Sequence, residues 1–91
     1  MKVRAHVIIT GRVQGVYFRV YTKRKADSLD LKGWVRNLPD ERVEAIFEGE
    51  EEHIKDALAF CNYGPKGAIV EDVDLTWETY TGEYRDFQIT H

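Results

Sequence analysis

The run Gly11-Arg12-Val13-Gln14-Gly15-Val16-Tyr17-Phe18-Arg19 separates two stretches of different period. Before it, Val3, Ala5, Val7 and Ile9 alternate with Lys2, Arg4, His6 and Ile8, as in a half-buried strand. After it, Phe18, Tyr21, Thr22, Lys25, Ala26 and Leu29 recur at steps of three and four, which predicts one face of a helix. A strand that feeds a helix through a short loop turns several backbone N–H groups toward one point. That point lies at the positive end of the helix dipole, where a phosphate or carboxylate is favoured. Gly15 lets the chain curl tightly there with no Cβ in the way. The loop reads either as a plain connection or as an anion cradle built from Gln14, Gly15, Val16, Tyr17 and Phe18. Arg19, in the first helical turn, is either a solvated side chain or a planar fork for two phosphate oxygens.

Outward from this run, Leu31 to Leu38 carries Trp34 and Val35 and predicts a strand, closed by the turn signal Pro39-Asp40-Glu41. Val43, Ala45 and Phe47 then alternate with Glu44, Ile46 and Glu48, completing a hairpin. Asn37, at the end of the first hairpin strand, either helps the turn or, brought near the first loop, orients a water through its amide. Glu50, Glu51 and Glu52 stand where a first helical turn favours negative charge, and Ile54, Ala57, Leu58 and Cys61 mark that helix's buried face. Asn62 to Gly67 ends it. A long strand follows with Val73, Leu75 and Trp77 on one side, and after Thr81-Gly82 the stretch Tyr84 to Thr90 holds a short strand with Phe87 and Ile89 inward. The predicted architecture is α+β, a ferredoxin-like βαββαβ sandwich of the split βαβ kind. Its antiparallel sheet carries two helices on one face and a short fifth strand. That architecture hosts many unrelated functions and names none of them.

The 91 residues, 43% hydrophobic and 32% charged, suit one domain over residues 1–91 with a thin core. A formal net charge of -3 argues against bulk nucleic-acid or anionic-membrane binding, which needs a broad cationic surface. The chain also lacks the [KR]G[FY][GA]FVx[FY] pattern of an RNA-binding sheet. No run approaches the roughly 18 apolar residues of a membrane span, and Met1 to Val13 lacks the pattern of a cleaved leader. A cytoplasmic monomer is the expectation. Cys61, the single cysteine, cannot form an internal disulfide and reads as a packed thiol. His6, His53 and His91 have no metal-like spacing, so no metal site is predicted. Glu48, Glu50, Glu51 and Glu52 read together as a solvated helix start, and Lys23, Arg24 and Lys25 as an exposed helix face.

The motif GRVQGVYFR closely resembles the first signature of the acylphosphatase family, and GWVRN at Gly33 to Asn37 resembles the second. The likeness extends to the spacing between them and to the stretch NLPDERVEAIFEG. It implies hydrolysis of a small-molecule acyl phosphate to a carboxylate and inorganic phosphate, with no metal or other cofactor. By the same likeness Arg19 binds the phosphoryl group and Asn37 positions the attacking water. The other function consistent with the resemblance is a non-catalytic anion-binding module serving a larger assembly. Three residues differ from the commonest family pattern: Tyr17 stands where glycine is common, though an aromatic also occurs there, and Asp30 and Glu41 stand where glycine is usual. If the backbone at Glu41 has positive φ, a side chain there is strained.

Overall fold

The computed structural model describes residues 1–91. The elements are β1 (Lys2–Arg12), α1 (Phe18–Ser28), β2 (Lys32–Asn37), β3 (Val43–Glu50), α2 (Glu51–Tyr63), β4 (Ile69–Glu78) and β5 (Phe87–Ile89). They form one sheet in the order β4-β1-β3-β2-β5, as a split βαβ fold requires. Pairing is antiparallel between β1 and β3, β1 and β4, and β2 and β3. The expected all-antiparallel sheet is corrected at one edge, because β5 pairs parallel to β2 and makes the sheet mixed. The cause is the route of residues 79–86. The chain leaves β4 at one edge, reverses once while crossing the sheet, and so arrives beyond β2 running in the same direction as β2.

Alternation along the strands divides the sheet into two faces. Ala5, Val7 and Ile9 of β1, Val35 of β2 and Val43, Ala45 and Phe47 of β3 are fully buried under the helices. From α2 the expected set Ile54, Ala57, Leu58 and Cys61 meets them. From α1 the buried stripe is narrower than the sequence predicts: Phe18, Thr22 and Ala26 are buried, whereas Tyr21 and Lys25 are exposed. Thr22 fits this dry position because its hydroxyl donates to the Phe18 carbonyl at 2.8 Å. On β4, Leu75 and Trp77 pair opposite Val7 and Ala5 and so share the helix side of the sheet. They are still 38% and 44% exposed, because β4 is an edge strand that the helices only partly cover.

The opposite face holds the clearest correction to the reading of the acids. Glu48 is 1% exposed rather than solvated. Its carboxylate accepts from Thr81 N at 2.8 Å, Thr81 Oγ1 at 3.0 Å and Gly82 N at 3.1 Å, and Arg4 Nε lies 3.1 Å away. A buried carboxylate needs this many partners to offset its lost hydration. The result is a clasp that holds the crossing segment on the sheet. Nearby, Glu44 accepts from Arg36 Nε at 2.7 Å and lies 2.7 Å from His6 Nε2. Burial alone would raise the Glu44 pKa, but the bonds to His6 and Arg36 outweigh it and hold that carboxyl below its ordinary range. Glu50 and its two neighbours do behave as expected, at the N-cap and first turn of α2.

The residues with positive φ that are not glycine are Tyr17 (61°), Asp30 (55°) and Glu41 (73°). These are the same three positions at which the chain differs from the pattern of the family it resembles. Tyr17 opens α1, Asp30 follows its C-cap Leu29, and Glu41 closes the β2–β3 hairpin. In that hairpin Leu38 N donates to Arg42 O at 2.8 Å and Glu41 N to Leu38 O at 3.2 Å. This is a three-residue loop whose last residue is left-handed. Glu41→Gly should relieve about 1 kcal/mol of strain, less the freedom glycine gives the unfolded chain. The expected net change is a small gain in stability, read as a higher urea midpoint at unchanged m-value. A loss of about 0.5 kcal/mol or more would contradict the strain assigned to Glu41.

Candidate active site

The strand register assembles the site. Val43, the first residue of β3, pairs with Ile9 of β1 on one side and with Asn37 of β2 on the other. Because β1 and β2 are both antiparallel to β3, they are parallel to each other, and their C-terminal ends reach the same edge of the sheet. Two strand spacings of about 4.8 Å separate those ends, within reach of side chains. Asn37 alternates with Gly33 and Val35, so its side chain faces the helix layer at the N-terminus of α1. Gly33 permits close pairing here, since a Cβ at its φ of +136° would collide with the Ile46 carbonyl oxygen. Gly15 is needed for a different reason from crowding. A Cβ there would meet nothing within 4 Å, so its φ of +75° is what calls for glycine.

Between these ends lies a cleft of about 270 Å³, lined by Val13, Gln14, Gly15, Tyr17, Phe18, Arg19, Val20 and Asn37. The structure thus brings Arg19 and Asn37, 18 residues apart in the chain, to one cleft together with most of the predicted loop. Val16 is the exception, because its side chain turns away and packs against the core. No sequence pattern marks Val13 and Val20 as walls of the cleft, or assigns a task to the Gln14 side chain. The last depends on groups more than 20 residues away, which no local pattern encodes.

The bonding capacity of this cleft is largely unused within the protein. No backbone N–H from Gly15 to Arg19 donates to an acceptor in the chain. Tyr17 caps α1 through its backbone, without a side-chain cap, and no acid occupies the first turn. The start of α2 differs, with Glu51 and Glu52 in its own first turn. The N-terminal field of α1 is therefore left for something else to neutralise. The Arg19 guanidinium is half-buried and forms no ion pair in the chain, whereas Arg4, Arg36 and Arg42 are each paired with a carboxylate. The amide oxygen of Asn37 is buried without any hydrogen-bond partner. A buried polar atom with no partner costs about 1–3 kcal/mol, a cost met when a ligand or water supplies the bond. Tyr17 stands at the rim, 74% exposed.

A ferredoxin-like sandwich whose strand–loop–helix junction opens on a cleft beside an arginine free of ion pairs places the protein in the α+β class. A profile of the acylphosphatase family matches residues 5–89. The chain is 48% identical over 91 residues to an acylphosphatase of Syntrophus aciditrophicus, covering all of this chain and 95% of that protein. It is 52% identical over 86 residues to an acylphosphatase of Roseiflexus, covering 94% of this chain and 92% of that one. The crystal structure of acylphosphatase from Bacillus subtilis superposes with a TM-score of 0.94 at 32% identity, covering 98% of this chain and 99% of the other. The chain belongs to the acylphosphatase family, and its reaction is the hydrolysis of acyl phosphates to a carboxylate and inorganic phosphate.

Cys61 lies outside the cleft, fully buried on α2, and burial pushes its thiol pKa up to about 12. The thiolate is almost absent at neutral pH, so a thiol reagent reacts with it only after unfolding. Labelling by a chromogenic disulfide reagent should rise with the urea unfolding curve and leave hydrolysis unchanged in native protein. Stoichiometric labelling under native conditions, with activity lost in step, would contradict this.

Proposed function

We propose that the backbone amides of residues 14–18 and the guanidinium of Arg19 hold the phosphoryl group of the acyl phosphate, while Asn37 holds the attacking water. What supports the reading is unmet bonding capacity meeting at one cleft: free amides, an unpaired guanidinium and a buried amide oxygen without a partner. Each donor suits an oxygen of a tetrahedral dianion, and the guanidinium fork suits two oxygens together. The Asn37 amide can accept from a water and donate to it without titrating.

The reaction asks mainly for position and charge. A carboxylate is a good leaving group, so the phosphorus–oxygen bond loosens early and charge spreads over the three other oxygens. Arg19 and the amides meet that charge with groups already in place, and little reorganisation follows. The water oxygen bonds to phosphorus on the side opposite the leaving carboxylate. The carboxylate departs with the electron pair of the broken bond, and the water's proton passes to a phosphate oxygen. No side chain is required as nucleophile or strong base. Tyr17 and Val20 offer the apolar part of the wall that an acyl group would meet.

Arg19→Lys should retain the fold and lower kcat/KM for a small acyl phosphate by about 10²-fold or more, because a point charge on a flexible stem cannot replace a bidentate fork. Near wild-type kcat and KM in the purified variant would remove this role. Asn37→Ala should reduce kcat by a similar factor with little change in competitive inhibition by phosphate. If inhibition weakened in step with kcat, Asn37 would be a binding residue instead.

A further inference from the structure

Gln14 spans two parts of the site that no backbone pairing joins directly. Its Nε2 donates to the carbonyl oxygen of Leu38 and to that of Arg42, both at 2.9 Å. Leu38 is the residue after Asn37. Arg42 faces it across the hairpin mouth and accepts the bond that closes the hairpin, from Leu38 N at 2.8 Å. We propose that Gln14 is a positioning residue for hydrolysis: its carboxamide fixes the turn that carries Asn37 against the loop that carries the amide cradle. It thereby sets the distance between the held water and the phosphoryl group. The inference rests on the roles proposed above for Asn37 and the cradle.

The chemistry of the side chain fits this task. A carboxamide NH₂ has two donors set apart in one plane, which matches two neighbouring carbonyl oxygens. Both donors are committed to the hairpin, so this NH₂ is not free to bind substrate. The other restraints on the turn are local, two backbone bonds from Leu38 N and Glu41 N within the hairpin itself. Its loop contains the left-handed Glu41, and its side-chain tie is the Arg42–Asp40 pair at the surface. The separation of the two reacting groups matters steeply, since a misplacement of about 1 Å costs on the order of 10² in rate. A tie from the cradle loop to the residue beside Asn37 acts on that separation and on little else.

The test is a double-mutant cycle of Gln14→Met and Asn37→Ala, measured by single turnover with enzyme in excess and by phosphate inhibition. Methionine keeps the length and removes both donors. Gln14→Met should lower kcat about tenfold or more while phosphate inhibition changes by less than about threefold. In the Asn37→Ala background the same substitution should change the rate by less than about twofold, because a residue that acts through Asn37 has nothing left to position. Equal losses in both backgrounds, an unchanged kcat in Gln14→Met, or phosphate inhibition weakened in step with kcat would each overturn the proposal. Failure of the underlying reading shows separately: a wild-type rate for Asn37→Ala alone removes the water-holding role and this proposal with it. Gln14→Glu, which keeps the shape and replaces the NH₂ donors with a carboxylate oxygen, takes the place of Gln14→Met in the cycle if the latter does not fold.

Discussion

The pairing of Val43 with both Ile9 and Asn37 is the constraint on which the site depends. It makes the central strand a ruler: Ile9 of β1 and Asn37 of β2 are level because each is registered against the same residue. A slip of one residue in either pairing would turn Asn37 or the β1 core residues to the opposite face of the sheet. The register is protected by burial, because Ile9, Val35, Val43 and Ala45 are all fully enclosed under the helices. The position of Asn37 along the sheet is thus set by the same apolar contacts that hold the fold together.

Strain gathers at the chain reversals that this arrangement forces. Tyr17 and Asp30 flank α1, and Glu41 closes the hairpin next to Asn37, each left-handed and none a glycine. At roughly 1 kcal/mol each, three such positions are a real fraction of a small domain's net stability. They are tolerated because paired strands and packed helices on either side leave the chain no other path. The clasp at Glu48 belongs with the same economy of a thin fold. A sheet covered on one face exposes the other, and the 79–86 segment, held by Glu48 and Arg4, covers part of it.

Much of this was legible in the sequence because the core obeys simple periods. Ala5, Val7 and Ile9 alternate in a strand, and Ile54, Ala57, Leu58 and Cys61 repeat on a helix, so element order and the split βαβ architecture followed from them. Against the family pattern, the left-handed backbone at Glu41 and the helix end at Asp30 were legible as side chains where glycine is common, whereas the left-handed backbone at Tyr17 was not. What stayed hidden depends on long-range partners. Glu48 lies in the same acidic run as Glu50, and nothing local separates a clasped acid from a solvated one; the distinction is made by Thr81 and Gly82, more than 30 residues on. Tyr21 and Lys25 fit a helical face by spacing, yet the sheet is reached only by the narrower stripe of Phe18, Thr22 and Ala26. The parallel pairing of β5 was likewise invisible, since it follows from the path of residues 79–86 across the sheet.

The electrostatics resolve an apparent conflict between a chain of net charge -3 and an anionic substrate. Its acids are mostly spoken for: Glu44 by His6 and Arg36, Asp40 by Arg42, Glu51 by Lys55, Glu48 by the clasp. None of them lines the cleft, where Arg19 and the first-turn amides of α1 meet no carboxylate. Solvent screens charges more than about 10 Å away, so a bound anion answers to its immediate surroundings far more than to the total. Arg19 and the α1 amides thus give this cleft local positive potential although the protein as a whole is acidic. The same separation leaves the first-turn donors of α1 open, because a carboxylate placed there, as Glu51 and Glu52 are in α2, would neutralise them.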